Sequence, residues 1–332
     1  MFITILPGLL ISLFISLLSQ SLANFLPQLS AALIAILLGM LFGNTLFIHP
    51  RLNPGTQFAE KRLLEVAIVL NGLTLDFQMM REIGLVGLVF VFIQLLTTIL
   101  IAIFLGKLFK FSKVFSLLMA AGNAVCGTAA IGTVSPILDA ESKDKGMAIT
   151  TVNVVGTVMM MGLPLVALFL YNHELLPTSA LIGGVIQSVG QVVASAKLVN
   201  DDVVNLATVF KLIRVLMIAV VGISFSRLNL TEGESFFKNK QEESTNVSIN
   251  IPWFIIGFLI LFIVRSLNIL PQTALSFTKT VSSQFEIIAL AAIGMRINMR
   301  DILKEGPKVM AYGFSIGLLQ AIVAIIFISI FY

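Results

Sequence analysis

The sequence predicts an all-α polytopic membrane protein with ten or eleven transmembrane helices. Of its 332 residues, 58% are hydrophobic and only 11% are charged, and the mean hydropathy is +1.02. A soluble domain carries roughly 25% charged residues, so this composition excludes an ordinary water-soluble enzyme. The apolar residues also come in runs near the roughly 20 residues that a helix needs to cross a hydrocarbon core about 30 Å thick.

These runs lack the alternating pattern of a transmembrane barrel, so helices, which satisfy their own backbone hydrogen bonds in lipid, are the predicted spanning elements. The predicted helices are 3–22, 29–47, 63–80, 83–106, 114–138, 147–171, 179–199, 204–226, 252–270, 280–298 and 307–331. The first lacks a basic n-region and a small-residue cleavage site, so we expect a retained helix rather than a signal peptide. The chain, 1–332, is predicted as one transporter domain with a solvated polar loop at 227–250.

The positive charge predicts orientation in a membrane rather than nucleic-acid binding. Thirteen of the 21 Lys and Arg residues lie at connections after even-numbered helices and six after odd-numbered ones, and Lys211 and Arg214 lie inside helix 8. Cytoplasmic connections carry the excess of Lys and Arg. We therefore expect a multi-pass protein of the cell inner (plasma) membrane, with its N-terminus in the cytoplasm and its C-terminus outside.

Two segments echo each other. The stretch 64–76 resembles 285–298 with a one-residue gap, and each leads through a charged turn into a long apolar helix. The offset of seven helices is odd, so the equivalent helices would cross the membrane in opposite directions. Inverted repeats of this kind are typical of secondary transporters. The predicted repeat halves are 29–171 and 179–331, and chance agreement between apolar helices is the alternative.

The stretch 121–136 is a poor uninterrupted helix, since it contains three glycines, small hydroxyl residues and a proline. It predicts a broken helix whose free N–H groups form an anion site near the midplane. Close helix packing through small residues is the alternative. The substrate ligands predicted in this stretch are Asn123, Cys126, Gly127 and Thr128.

Helix 7 contains a second stretch of this kind at 183–195. Gln187 and Gln191 are four residues apart and would share one helical face, where uncharged amides could bind and release a desolvated anion. Ser188 is the third substrate ligand predicted here. The alternative is hydrogen bonding between helices.

Lys211 and Arg214 are the clearest functional signal. They lie three residues apart inside an apolar run, where each ionisable group costs at least about 2.5–3.5 kcal/mol on insertion scales. Two cations without a local acid need a counter-anion. A transported anion would supply it in a functional interpretation, and Glu286 or Glu65 would supply it in a structural one. Snorkelling of the two side chains towards the interface is a further structural alternative.

Membrane-embedded carboxylates also serve as carriers of coupling ions. Glu65 and Glu286 occupy near-equivalent repeat positions, and with Asn153 they are the candidate groups for a coupling proton or sodium ion. The only cysteine is Cys126, and no His/Cys/acid cluster, nucleophile elbow or phosphate-binding loop occurs. The sequence therefore predicts no metal, no cofactor and no enzymatic activity.

Several of these stretches together resemble the YeiH-type sulfate exporter family. They are the Gly122–Pro136 run with its Cys126-Gly127, the run Gln191-Val192-Val193-Ala194, the stretch 207–214 and the segment 291–295 that leads to Gly306-Pro307. The resemblance implies a secondary transporter related to the cation:proton antiporter and bile-acid symporter group, with unwound helices that cross near the midplane. It also matches Lys211 and Arg214 to the family's basic pair.

One departure from the family pattern concerns coupling. Where the family has a His followed by an acidic residue, this chain has Gln187 and Ser188. This departure removes a titratable pair from helix 7 and disfavours proton coupling through it.

The sequence thus predicts a secondary active transporter of a small anion of the sulfate, sulfonate or small carboxylate class. Its partners would be that anion, a coupling proton or sodium ion and the lipid bilayer, with no nucleic acid; a homodimer is left open. The alternative is a cation/proton antiporter in which Lys211 and Arg214 are structural. An intramembrane enzyme or a receptor-like scaffold is disfavoured because no catalytic dyad is evident.

Overall fold

The computed structural model describes residues 2–25, 30–47, 49–73, 77–230, 252–267, 270–297 and 306–332. Helices joined by short turns make up these ranges, so the predicted all-helical fold is confirmed. The α-helices are α1 (Phe2–Phe25), α2 (Ala31–Thr45), α3 (Asn53–Phe58), α4 (Leu64–Asn71), α5 (Phe77–Leu108), α6 (Lys113–Ala121), α7 (Thr128–Val134), α8 (Ser142–Tyr171), α9 (Leu175–Val185), α10 (Val189–Lys197), α11 (Asp201–Leu216), α12 (Ile218–Ser226), α13 (Trp253–Ser266), α14 (Gln272–Arg296) and α15 (Pro307–Phe331). A 3-10 turn at Pro50–Leu52 and π-helical turns at Ala59–Leu63 and Gly122–Cys126 complete them.

Five stretches of helix are long and apolar enough to cross a membrane. They are Thr4–Phe25, Ile83–Leu108, Ser142–Tyr171, Asp201–Ser226 and Pro307–Phe331. Four shorter apolar helices accompany them: Ala31–Thr45, Lys113–Cys126, Leu175–Val185 and Trp253–Ser266. A helix of 14 residues rises about 21 Å, which is less than a hydrocarbon core, so the count of eleven spans stays a prediction.

Several predicted helix boundaries are wrong. The helical run predicted to begin at 63 begins at Asn53, because a π-helical turn carries the backbone through the polar residues Glu60–Arg62. The run predicted at 179–199 is divided into α9 and α10. Helix α14 begins at Gln272 rather than 280, since polar residues in its first two turns obscure the apolar pattern. Of the predicted polar loop, residues 231–250 lie outside the described ranges.

The chain divides into two compact units, and each is assembled from three segments. The first unit comprises Met1–Glu82, Val193–Thr208 and Pro252–Arg300. Helix α14 lies at its centre and packs against α1, α2 and α4. Gly39 and Gly43 on α2 approach the α14 backbone so closely that neither position has room for a side chain. Small residues spaced four apart allow this close packing of membrane helices.

The second unit comprises Ile83–Val192, Val209–Ile251 and Asp301–Tyr332. Helix α15 packs against α8 and α9, and both α6 and α7 pack against α8. Gln320 on α15 donates from Nε2 to the carbonyl of Val185 at the end of α9 (2.7 Å). The backbone carbonyl of Gln320 accepts from Gln94 Nε2 on α5 (2.7 Å). The second unit therefore supplies buried polar partners where α9 stops.

The two segments that echo each other in sequence both lie in the first unit. Of their described residues, 64–71 form α4 and 285–296 form the C-terminal half of α14, and these two helices pack together. Since each unit takes segments from both parts of the chain, the units divide it differently from the predicted repeat halves. The inverted repeat stays a prediction.

Candidate functional site

The first interrupted helix breaks at Gly127, between the π-helical turn Gly122–Cys126 and α7. Gly127 has φ +68° and ψ −126°, a conformation that residues with a Cβ atom rarely adopt. Its N–H donates to the carbonyl of Gly122 at 2.9 Å and so closes the π-helical turn. Cys126 and Gly127 are buried, whereas Thr128 at the start of α7 is half-buried. The predicted break in this helix is confirmed.

The second interruption separates α9 from α10. Ile186 is extended, with φ −63° and ψ 143°, and α10 begins at Val189. Gln187 therefore lies in the break itself, while Gln191 lies in the first turn of α10. The prediction that their amides share one helical face is wrong, because the helix does not continue from one to the other.

A capping box explains why α10 begins where it does. The N–H of Gln191 donates to Ser188 Oγ at 3.1 Å, and the N–H of Ser188 donates to Gln191 Oε1 at 3.3 Å. This reciprocal pair satisfies two backbone donors at a helix start. Gln191 Nε2 also donates to the carbonyl of Asn153 on α8 at 3.1 Å. The oxygen of the Gln191 side-chain amide thus caps the start of α10, and its nitrogen holds α10 against α8.

The two breaks lie against each other within the second unit. Gln187 Nε2 donates to Asn123 Oδ1 at 3.1 Å, and Asn123 Nδ2 donates to the carbonyl of Met119 at 2.8 Å. A Cβ atom at Gly127 would lie 3.7 Å from the Gln187 Cβ. Gln187, Asn123, Gly127 and Thr128, four of the predicted ligands, are therefore gathered where the interrupted helices meet. We call this place the crossing.

Lys211 and Arg214, on α11, bind the backbone at the crossing. Lys211 Nζ donates to the carbonyls of Val125 (2.6 Å) and Ile186 (2.7 Å), one from each interrupted helix. The guanidinium of Arg214 also donates to both interrupted helices. Its acceptors are the carbonyls of Asn123 (2.6 Å), Ala124 (3.0 Å), Gly183 (3.2 Å) and Ile186 (3.2 Å).

The described partners of these two cations are the carbonyl groups at helix C-termini rather than carboxylates. Both side chains are 0% exposed, and in the described part of the second unit neither forms an ion pair with a carboxylate. The last carbonyls of a helix have no intrahelical partner and carry the negative end of its dipole. Here the two basic residues satisfy the carbonyls at the C-terminal ends of both helices, so they are accommodated without a carboxylate partner.

Glu286 belongs instead to a charged network in the first unit. Its Oε1 accepts from Asn71 Nδ2 at 2.7 Å, and its Oε2 lies 3.0 Å from Lys197 Nζ. Lys197 also pairs with Asp201 at 2.6 Å, and Asp201 pairs with Lys279 at 3.3 Å. Ser282 Oγ donates to Asn71 Oδ1 at 2.6 Å and so holds the amide that binds Glu286.

The other two coupling candidates have different surroundings. Glu65 accepts from Arg62 at 2.9 Å and from the indole N–H of Trp253 at 2.8 Å, an arrangement that suits an interfacial anchor. The side chain of Asn153 is exposed, and its described contact at the crossing uses its backbone carbonyl.

Sequence reasoning missed Lys197, Asp201 and Lys279. Lys197 is one of the six basic residues that the charge count places after odd-numbered helices, and its pairing partners, Asp201 and Glu286, come from two separate helices. The spacing of Lys197 and Asp201, four residues apart, and of Lys279 and Glu286, seven apart on α14, was the available signal. The contact between these two pairs depends on the tertiary fold and has no local signature.

Comparisons with known proteins agree with the resemblance drawn from the motifs. A sequence model of the family described as conserved hypothetical protein 698 matches residues 7–313. A UPF0324 membrane protein of Clostridium perfringens is 46% identical over 332 residues, which is 99% of this chain and 96% of the relative. One from Lactiplantibacillus plantarum is 44% identical over 98% of this chain and 97% of its own.

The UPF0324 inner membrane protein YeiH of Escherichia coli K12 is 32% identical over 284 residues, 84% of this chain and 79% of its own. No solved structure matches. With a family match across most of the chain and relatives of this identity, the chain belongs to the UPF0324 family of membrane proteins.

Proposed function

We propose that this protein is a secondary active transporter, not an enzyme, and that it moves a small anion of the sulfate, sulfonate or small carboxylate class by alternating access. The observation that carries the proposal is a surplus of buried positive charge where two interrupted helices meet. Discontinuous helices with exposed ends near the midplane are the usual substrate site of secondary transporters.

The charges at the crossing indicate the sign of the charge that its ligand should carry. Each helix C-terminus carries roughly half a negative charge, so the two ends that contact Lys211 and Arg214 offset about one of the two full positive charges. The N-terminus of α10 carries the positive end of its helix dipole and so adds to the remaining positive charge. The described residues of the crossing thus favour an anion over a cation.

The half-buried groups at the two breaks are the proposed ligands. Thr128 and Ser188 begin the second halves of the two interrupted helices and are partly exposed, and Gly190 is half-buried in the first turn of α10. Hydroxyls and backbone N–H groups at a helix start bind oxyanions well. In this proposal Lys211 and Arg214 contribute through their charge, while the groups at the breaks make the contacts.

One observation favours the alternative of a cation/proton antiporter. Lys211 and Arg214 donate to backbone carbonyls that the helix breaks would otherwise leave bare, which is the structural role that this alternative assigns to them. The two functions differ in whether flux requires an anion, and a transport assay separates them.

The test is uptake into proteoliposomes that contain the purified protein. We expect radiolabelled sulfate, methanesulfonate or acetate to enter faster than into protein-free liposomes. Gln187→Leu removes the amide that joins the two breaks, so uptake of the transported anion should fall at least about tenfold, or about 1.4 kcal/mol. The matched control is Gln94→Leu, another fully buried glutamine of the second unit, which should keep most of the uptake.

Sodium or proton flux that needs no anion, with none of the three labelled anions taken up, would support the antiporter instead. Equal loss of uptake in Gln187→Leu and Gln94→Leu would remove the crossing from its proposed role while leaving transport in place.

A further inference from the structure

Glu286 is a carboxylate held in the interior of the first unit. Its side chain is 3% exposed, and burial of a charged group without partners would cost several kcal/mol. Asn71 donates to one carboxylate oxygen at 2.7 Å and Lys197 lies 3.0 Å from the other. The carboxylate is thus held by one neutral donor and one cation.

From Glu286 the charges alternate and become progressively more exposed. The side chain of Lys197 is 14% exposed, that of Asp201 45% and that of Lys279 60%. Neighbours in the series lie 3.0, 2.6 and 3.3 Å apart. We call this series, Glu286–Lys197–Asp201–Lys279, the charge ladder. It connects a buried carboxylate to an exposed amine in three contacts.

A small cavity runs beside the ladder. Its lining includes Asn71, Asn205 and Ser283 together with all four ladder residues, and its volume is about 20 Å³. A space of this size holds one water. With polar groups around it, such a water would form hydrogen bonds that link the exposed members of the ladder to Glu286.

The other described charged groups near Glu286 pair with other residues or are exposed to solvent. Among the elements that pack against α14, the described residues of α1 and α2 carry no charged side chain. On the π-helical turn, Glu60 pairs with Arg296 and Arg62 pairs with Glu65, while Lys61 is exposed. Asp202, beside the ladder on α11, is also exposed. Lys197 is therefore the cation that faces Glu286.

We propose that Glu286 reversibly binds a proton that reaches it along the charge ladder, and that this proton is the coupling ion of the transporter. When Glu286 Oε2 takes up one proton from a hydronium ion of the solvent, which becomes water, the carboxylate becomes a neutral acid. Lys197 keeps its charge and its partner Asp201, so no buried charge is left unpaired. The coupling role rests on the proposed transport function, whereas proton binding itself does not.

The ligand geometry favours a proton over sodium. Sodium requires several oxygen ligands, but both oxygens of Glu286 are already engaged and the Lys197 ammonium occupies the position beside them. The Asn71 oxygen accepts from Ser282. A proton needs only one carboxylate oxygen.

The test is an infrared titration of the purified protein in detergent, which follows the C=O stretch of protonated carboxylic acids without any substrate. We expect the difference spectrum, wild type minus Glu286→Gln, to contain a C=O band that grows as the pH is lowered; the substitution is isosteric and can still accept from Asn71. The matched control, Glu65→Gln, removes a carboxylate of the same unit outside the ladder and should keep this component of the spectrum.

A second variant tests the role of the ladder. Lys197→Met removes the facing cation, so the neutral acid becomes the favoured buried form and the band should appear at a pH higher by about one unit or more. A difference spectrum, wild type minus Glu286→Gln, that lacks this band, or a midpoint that Lys197→Met leaves in place, would overturn the proposal. So would a wild-type band that sodium chloride, but not choline chloride, removes at constant pH, since sodium would then be the ligand.

The two proposals fail separately. If the band behaves as expected but proteoliposomes take up no anion, the proton site stands and the proposed transport function falls. If anion uptake occurs and Glu286→Gln keeps its response to a pH gradient, transport stands and Glu286 is not its coupling group.

Discussion

Among single residues, Arg214 makes a set of hydrogen bonds that a lysine at the same position could not make. Its planar guanidinium reaches four carbonyls on two helices, whereas an ammonium is a compact charge with no fixed fork. Lys211 reaches one carbonyl on each helix. Lys211 and Arg214 therefore hold the ends of both interrupted helices at the crossing, and Arg214 contributes the larger share of the hydrogen bonds.

Arg214→Lys should consequently destabilise the protein even though the charge is kept. Loss of one or two charge-assisted hydrogen bonds at buried carbonyls predicts a free energy of unfolding lower by about 2–4 kcal/mol. Denaturant titration in detergent micelles measures this change. Arg62→Lys, at a side chain that is 60% exposed, is the control and should change stability by less than about 0.5 kcal/mol. Similar effects of the two substitutions would contradict the role given to Arg214.

At the scale of elements, local sequence predicted the first break but not the details of the second. Gly127 takes a conformation that favours glycine, and a glycine inside an apolar run is visible in the sequence. At the second break, Ser188 and Gln191 form a capping box, a signature that is equally present in the sequence. The spacing of Gln187 and Gln191 was interpreted by helical periodicity alone, which assumes an unbroken helix, and that assumption produced the error.

Gly127→Ala tests the first break. An added Cβ meets no close atom, since its nearest neighbour would be 3.7 Å away, so the cost comes from the backbone conformation and should be about 1–3 kcal/mol. Gly132→Ala is the matched control, because Gly132 lies within α7 with open space around it. That control should be neutral or stabilising by up to about 1 kcal/mol. Equal costs in a denaturant titration would show that Gly127 is not strained.

Ser188→Ala tests the second break. Removal of a side-chain cap from a helix start costs about 1 kcal/mol, and here it leaves the backbone N–H of Gln191 without its Oγ acceptor. We expect faster hydrogen exchange at the first N–H groups of α10 than in the wild type. Thr133→Ala, which removes an exposed hydroxyl bonded only to its own helix, should not change exchange there. Unchanged protection of α10 in Ser188→Ala would argue against the capping box.

At the scale of the whole molecule, composition and run length were enough to predict a helical membrane protein. The distribution into two units was not visible, because each unit combines segments from the beginning, middle and end of the described chain. The Lys197–Glu286 pair was missed for the same reason, since its members are 89 positions apart in the sequence and helical spacing reports only neighbours three or four apart.

The predicted orientation of the chain in the membrane can be tested by labelling introduced cysteines. The single cysteine, Cys126, can be changed to serine to give a background without thiols, into which Arg51→Cys and Lys143→Cys are introduced separately. Both native side chains are exposed. In intact cells a membrane-impermeant maleimide should label position 143 and should label position 51 only after lysis. The reverse pattern would invert the predicted topology.

The proposed transport function requires that an anion binds where the two interrupted helices meet. Crystals grown with selenate, an isostere of sulfate with an anomalous signal, would reveal the position of that anion. We expect an anomalous peak within hydrogen-bonding distance of Ser188 and the first turn of α10. If the protein exchanges selenate across proteoliposome membranes but its selenate peak lies elsewhere, the anion site is not at the crossing.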